Sequence, residues 1–338
     1  MSKAKILVTG GAGYIGSHTC VELIEAGYQP IIIDNFSNSE RFVIDRINEI
    51  TGKSATLIEG DCGDEQLLID TINKYTTIGI IHFAAYKAVG ESSILPLKYY
   101  RNNLGTTAAI LGAVEKTSCK SLVFSSSCTV YGQPDKLPVT EKSPIKPAES
   151  PYGRTKQICE NMISDFASSG QEIKALALRY FNPIGAHPSA LIGELPLGVP
   201  NNLIPFVTQT AAGIREKLTV FGNDYNTEDG TCIRDYIHVV DLAKAHVSAI
   251  KFLLESENPV YDKINIGTGV GNSVLEVVQG FEEVNSVKLN YEIGPRRPGD
   301  VEKVYADAAY AEKTLNWTAK KTLTESLRDA WNWQKTLT

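Results

Sequence analysis

The stretch from Lys5 to Asp34 limits what this chain can fold into more than any other. Ile6, Leu7 and Val8 form a short apolar run that soon meets glycine, the pattern of a buried parallel strand. Gly10, Gly13 and Gly16 follow at intervals of three. Gly10 permits a tight turn, Gly13 lets a pyrophosphate approach the backbone, and Gly16 lets the next helix pack closely on the sheet. Ile15, Val21, Leu23 and Ile24 give that helix an apolar face, and its N-terminus offers free N–H groups and a positive dipole end to a phosphate. Ile31, Ile32 and Ile33 make a second strand, closed by Asp34 about twenty residues past the glycines, where an acid accepts hydrogen bonds from an adenosine ribose. A 2'-phosphate would be repelled there, so the pattern predicts NAD rather than NADP. Three glycines alone would fit a turn beside a solvated aspartate. The strand before them, the helix after them and the acid beyond them turn the motif into a dinucleotide site, with Tyr14 and Ile15 inside the loop as further contacts.

Strand and helix patterns then alternate. Strands are predicted near 57–58, 79–83, 122–124 and 174–178, with helices over 99–115 and 151–168. Such alternation builds a parallel sheet covered by helices on both faces, a doubly wound α/β fold of the Rossmann type. Ligands in such sheets sit beyond the carboxyl ends of the strands, where Gly10, Asp34, Asp61, Phe83 and Ser127 fall. After Asn182 the texture changes. Residues 183–205 are rich in proline and glycine, which predicts a long loop over the site. A strand near 218–221, helices over 239–254 and 272–283, a strand near 263–266 and two C-terminal helices follow. The chain has 338 residues, more than one typical core. The expected organisation is a dinucleotide-binding domain over 1–182 and a smaller mixed α/β substrate domain over 183–338, with some of its segments returning to the first.

Tyr152 and Lys156 lie four apart behind Ser150-Pro151. Pro151 suits the first turn of a helix, and the spacing puts both side chains on one face. Tyrosine, with a pKa near 10, is a poor base at neutral pH; a neighbouring ammonium is expected to favour the phenolate and lower it. Ser127, ending the fifth strand, can hydrogen-bond the same substrate oxygen. The trio could take the proton of a secondary alcohol while hydride leaves the same carbon for a nicotinamide ring. On its own the pair is better read as a surface pair on an amphipathic helix; the glycine motif and the serine run give it the catalytic reading.

Composition narrows the partners. Hydrophobic residues make up 43% of the chain and the net charge is -6, with no basic run to hold nucleic acid. The six cysteines, Cys20, Cys62, Cys119, Cys128, Cys159 and Cys232, are scattered without a Cys-x-x-Cys pair, the usage of reduced thiols. No histidine has metal-ligand spacing, so no metal is expected, and His82 in its apolar strand is expected to be buried and hydrogen-bonded. No apolar run reaches the ~18 residues that span a bilayer. The N-terminus enters a strand without an apolar signal region, so a cytoplasmic protein is expected. The tryptophans Trp317, Trp331 and Trp333 are expected to pack in the C-terminal helices.

Longer runs carry a more specific signal. They are 10–19 (Gly-Gly-Ala-Gly-Tyr-Ile-Gly-Ser-His-Thr), 82–92 (His-Phe-Ala-Ala-Tyr-Lys-Ala-Val-Gly-Glu-Ser) and 124–132 (Phe-Ser-Ser-Ser-Cys-Thr-Val-Tyr-Gly). Further on come 179–188 (Arg-Tyr-Phe-Asn-Pro-Ile-Gly-Ala-His-Pro), 221–225 (Phe-Gly-Asn-Asp-Tyr), 234–239 (Arg-Asp-Tyr-Ile-His-Val) and 296–300 (Arg-Arg-Pro-Gly-Asp). In these the chain resembles the extended short-chain dehydrogenase/reductase family and, within it, the UDP-galactose/UDP-hexose 4-epimerases. The resemblance covers nearly the whole chain. It implies that Asp34 and Asn35 hold the adenosine ribose and that Asp61 and Cys62 flank the adenine, Cys62 standing where an aliphatic residue is commoner. It implies that Phe83, Lys87, Asn102 and Tyr180 line the cofactor, with Lys87 near its ribose or the sugar. Ser127, Tyr152 and Lys156 match the catalytic set. Phe181, Asn182, Asn202, Leu203, Val220, Phe221, Arg234, Arg297, Asp300 and Val304 match the UDP-sugar contacts. Arg234 and Arg297 make physical sense as bidentate clamps on a diphosphate. The implied protein is a homodimer.

The implied reaction is 4-epimerisation through a 4-keto sugar, with a firm grip on UDP, a loose one on the sugar, and NAD retained through turnover. One departure bears on substrate range. Relatives confined to glucose and galactose often carry a tyrosine four residues after the aspartate of the Arg-Arg-x-Gly-Asp run; here Val304 stands there. A valine leaves room for a 2-acetamido group, so UDP-GlcNAc and UDP-GalNAc are expected substrates as well; the alternative is that Val304 fills core and Tyr305 blocks the pocket. A related 4,6-dehydratase would place an Asp-Glu pair where Cys128 and Thr129 stand. A net dehydrogenase and a non-catalytic NAD-binding sensor are the remaining alternatives.

Overall fold

The structure, a computed structural model, describes residues 3–297 and 299–338; Pro298, in the arginine run just quoted, lies outside them. The strands are β1 (Lys5–Thr9), β2 (Gln29–Asp34), β3 (Thr56–Glu59), β4 (Gly79–His82), β5 (Ser121–Ser125), β6 (Lys174–Tyr180), β7 (Asn182–Ile184), β8 (Leu218–Phe221), β9 (Ile233–His238), β10 (Val260–Ile266), β11 (Gly271–Ser273), β12 (Tyr291–Gly294) and β13 (Lys303–Val304). Seven of them form one parallel sheet in the order β10-β6-β5-β4-β1-β2-β3. The order reverses between β1 and β4, and a crevice opens beyond the carboxyl ends of the strands at such a reversal.

Alternation along each strand divides the core. Ile6, Val8, Ile32, Ile81 and Leu178 pack one face against the helices Tyr14–Glu25 and Val239–Glu255. Leu7, Ile31, Ile33, Ile80 and Phe124 pack the other against Glu65–Tyr75, Gly105–Lys116 and Pro151–Ser168. The strands read as unbroken apolar runs because both faces are covered.

The glycine loop works by close approach. Gly10 has φ 71°, and a Cβ there would lie 2.9 Å from the Ala84 nitrogen. A Cβ on Gly16 would lie 2.1 Å from the Gly10 carbonyl oxygen, so only glycine lets the first helix start against the turn.

The structure differs from the sequence expectation at three elements. The helix expected over 99–115 begins as a π-helical stretch, Tyr100–Leu104, before the α-helix Gly105–Lys116. The expected loop 183–205 holds more order: β7 pairs with β9 despite Pro183, and the helix Leu203–Ala211 starts near its end. Proline is tolerated there because β7 meets only one partner. Finally, β9 was unreadable because Arg234 and Asp235 interrupt its apolar run. Trp331 and Trp333 lie in the last helix, Leu323–Lys335, whereas Trp317 lies between helices in the larger core, its indole donating to the Asp241 carbonyl at 3.0 Å. No helix among the described residues is long and apolar enough to cross a membrane.

Candidate active site

One cleft lies at the carboxyl ends of β1, β2, β4 and β5. Gly10, Gly13, Tyr14, Ile15, Gly16, Asp34, Asn35, Asp61, Cys62, Phe83, Lys87, Asn102, Tyr152, Lys156 and Tyr180 all line it. Every residue expected to touch the cofactor therefore lines one cleft. The buried Asp34 carboxylate accepts from the Ala12 amide at 2.9 Å, the Phe36 amide at 2.9 Å and the Ser39 hydroxyl at 2.9 Å. It ties the glycine loop to the end of β2. Asn35 donates to Asp61 at 3.2 Å across the β2–β3 ends. His82, the last residue of β4, is buried with Nδ1 2.7 Å from the Thr9 hydroxyl, and burial first, then Lys156, pushes it down to about 3, so it stays neutral.

The inner end of the cleft holds the acid–base candidates. Ser150 caps the helix Pro151–Ser168 by accepting from the Gly153 amide at 3.1 Å, with Pro151 in its first turn. That start aims Tyr152 and Lys156 at the end of β5, both buried. Lys156 Nζ donates to the Ser125 carbonyl at 2.7 Å and lies 6.0 Å from the centre of the Tyr152 ring. Ser125 Oγ is 2.7 Å from Tyr180 Oη. Ser127 opens the turn Cys128–Tyr131, its Oγ accepting from the Thr129 amide at 3.2 Å and the Thr129 hydroxyl at 3.0 Å.

The phenol does not have the lowered pKa expected from its lysine. Burial pushes Tyr152 well above the ordinary value and Tyr180 pushes further, while hydrogen bonding by Ser127 works the other way. Burial also pulls Lys156 down to about 8, against the upward pull of Cys159 and Glu160. Both groups sit where water is excluded, and exclusion of water disfavours each charged form. The protein alone holds Tyr152 as a phenol.

A second, larger cleft opens beside the first and shares Gly13, Tyr14, Tyr86 and Lys87 with it. Asn182, Asn202, Leu203, Val220, Phe221, Arg234, Arg297 and Asp300 line it. Arg297 makes a paired contact with Asp300, Nε at 3.2 Å and a terminal nitrogen at 2.7 Å, and Arg234 comes within 3.8 Å of the same carboxylate. The guanidiniums thus converge on one anionic group. Neither Phe181 nor Val304 lines this cleft; both are buried in a small cluster with Val130, Tyr131, Val139 and Ala306. Tyr305 is turned the other way, onto Gly271.

Glu194 was not singled out from the sequence. It accepts from Lys87 Nζ at 3.2 Å and Asn202 Nδ2 at 2.5 Å, and its carbonyl accepts from the Trp333 indole at 3.0 Å. It thereby links a residue shared by both clefts to one wall of the second. The available signal was a lone acid inside a proline-rich loop. No cluster of three or more metal-ligating side chains occurs among the described residues.

A family model described as GDP-mannose 4,6 dehydratase matches residues 7–330. The UDP-glucose 4-epimerase of Bacillus subtilis is 51% identical over 97% of this chain and 96% of its own. A crystal structure of the UDP-glucose 4-epimerase of Stenotrophomonas maltophila, with bound NAD and formylated UDP-arabinopyranose, superposes with TM-score 0.96 at 46% identity, covering 99% of this chain and 98% of that one. The Bifidobacterium longum UDP-glucose 4-epimerase in complex with NAD+ and UDP gives TM-score 0.95 at 44% identity over 98% of both chains. The chain belongs to the extended short-chain dehydrogenase/reductase family and, within it, to the UDP-glucose 4-epimerase group.

Proposed function

We propose that this protein is an NAD-dependent isomerase that inverts C4 of UDP-hexoses, interconverting UDP-glucose and UDP-galactose through a 4-keto sugar. What carries the reading is the meeting of the two clefts at Tyr14 and Lys87, with Tyr152 and Lys156 in the wall of the first. The first fits NAD. The glycine loop has no room for side chains at Gly10 and Gly16, and Asp34 disfavours a 2'-phosphate. NAD bound there supplies an acceptor that takes a hydride from C4 and gives it back. Tyr152 takes the O4 proton and later returns it, with Ser127 hydrogen-bonded to the same oxygen. Lys156, fixed on the Ser125 carbonyl, supplies positive charge near the phenol. Because burial holds Tyr152 protonated, its ionisation depends on positive charge gathered around it when the site is filled.

Arg234 and Arg297 are proposed to grip the diphosphate in place of Asp300, and Asn182, Asn202, Leu203, Val220 and Phe221 to hold the uridine. A sugar held only through its diphosphate can turn its other face to the nicotinamide. Cys128 and Thr129, in place of an acid pair, leave no carboxyl group for water loss, which argues against a dehydratase.

The substrate range extends to UDP-GlcNAc and UDP-GalNAc in this reading. Val304 fills the core cluster beside Phe181, as the alternative expected, but Tyr305 lies against Gly271, which weakens the other half of that alternative, that Tyr305 closes the pocket. Incubation with UDP-glucose and UDP-GlcNAc separately, without added NAD, should give both epimer pairs. No epimerisation of UDP-glucose would overturn the proposal, and none of UDP-GlcNAc would restrict it. Val304→Tyr should abolish only the acetamido activity. We further propose a cytoplasmic homodimer, its contact including the exposed Ile94, Leu95 and Leu97; sedimentation of the wild type against Leu97→Glu tests the dimer.

A further inference from the structure

Beneath the catalytic group lies a buried ion pair that the proposed chemistry does not use. Arg179 on β6 donates to Glu160 through Nε at 2.9 Å and a terminal nitrogen at 2.5 Å. Their side chains are 3% and 6% exposed. Buried pairs are weak devices for stability, since apolar residues of similar volume often do as well. The reason for keeping this one lies in what else it touches.

Glu160 accepts from the Ser126 hydroxyl at 2.6 Å. Arg179 donates to the Tyr131 hydroxyl at 3.0 Å, and Tyr131 donates in turn to Asn265 at 2.6 Å. Ser126 and Tyr131 are the two ends of one short segment, with Ser127 between them. Ser127 is thus suspended between two points tied to one ion pair. Tyr152, Lys156 and Glu160 also follow at intervals of four on one helix, so they share a face. Two of them address neighbouring members of the serine run, Lys156 the Ser125 carbonyl and Glu160 the Ser126 hydroxyl.

We propose that Glu160 and Arg179 are a positioning pair that sets Ser127 and Lys156 relative to Tyr152. The charged and titratable groups around Glu160 are Arg179 on β6, Lys156 and Cys159 on its own helix, Tyr131 in the serine turn, and Tyr261 on β10, which donates to the Glu160 carbonyl at 2.9 Å. Glu141 reaches the group through Asn265. Removing the Glu160 charge leaves the cations Arg179 and Lys156 facing each other, so Lys156 gives up its proton more readily.

The proposal rests on Tyr152, Lys156 and Ser127 being the reacting group, so Tyr152→Phe is assayed alongside. Ser126→Ala cuts one tie without leaving a buried charge unpaired, and Tyr131→Phe cuts the other. Each should lower kcat for UDP-glucose about tenfold, with KM within about twofold and the NAD content of the purified protein unchanged. Ser126→Thr, which keeps the hydroxyl, should restore kcat. Ser126→Ala should cost nothing further in a Glu160→Gln background, and Glu160→Gln should move the alkaline limb of kcat toward acid by about one pH unit. If Ser126→Ala and Tyr131→Phe lower Tm but leave kcat per folded enzyme intact, the pair is structural and the proposal fails. If Tyr152→Phe keeps full activity, the catalytic reading itself fails instead.

Discussion

The two clefts meet at Tyr14 and Lys87 but are built on opposite plans. The first is made from the ends of buried parallel strands and from residues already bonded to one another: Asp34 to the glycine loop, Lys156 to Ser125, Tyr180 to Ser125. The second is made from loops, the short strands β7, β8 and β9 and the helix Leu203–Ala211, and its main charges are held by each other. Arg297 is half exposed and paired with Asp300, three residues along the chain. A cleft with its polar groups satisfied in place can accept one rigid ligand without rearranging. A cleft whose arginines are paired to a neighbouring carboxylate must trade that partner for a phosphate. An epimerase needs this division: a fixed hydride acceptor, and a substrate grip that releases the sugar while keeping its nucleotide.

The contrast breaks most visibly at Tyr152. Tyr152→Phe should lower kcat by about a thousandfold while NAD content and KM stay close to the wild type; retention of activity would move the chemistry out of the first cleft. Next in size, Arg234→Ala and Arg297→Ala should raise KM for UDP-glucose about ten- to a hundredfold, with kcat and bound NAD little changed. If either variant loses NAD instead, the clefts do not divide the work as described.

The pH profile sharpens the electrostatic half of the comparison. Burial holds Lys156 down to about 8, so its ammonium is present below that pH and lost above it. kcat should fall as pH rises through about 8, and Lys156→Arg, which keeps its charge, should remove that limb at reduced rate. For stability the sign is opposite: the cost of burying the charged amine is full below about pH 8 and fades as pH rises to the unfolded value of 10.5. The smallest effect is expected at the seam. Glu194→Gln weakens contacts to Lys87 and Asn202 at once and should raise KM and speed NAD loss, each about threefold. An effect on one alone would mean that Glu194 serves a single cleft.

Much of this could be read before the fold was known. The glycine spacing, the acid that closes β2 and the four-residue step from Tyr152 to Lys156 are local patterns imposed by backbone geometry, and the structure brings the expected cofactor residues to one cleft. Other features could not be read so. The polar residues of β9 hide a strand whose order comes from β7, β11 and β13 pairing with it. Glu194 meets Lys87 and Trp333 from far away in the chain, and Glu160 meets Arg179 only because β6 runs beneath its helix.

The expected lowering of the Tyr152 pKa shows where local reasoning stops. Spacing correctly put a lysine one helical turn from the tyrosine. It could not say that both would be stripped of water and that the ammonium would be spent on a carbonyl at the end of β5. The sequence by itself determined the parallel sheet, the dinucleotide loop and which groups are the acid–base candidates, because strand alternation, glycine's steric freedom and helical periodicity act over a few residues. Only the tertiary structure decided the charge state of those groups and the residues that hold them, because solvent exclusion and ion pairing depend on what distant parts of the chain bring alongside.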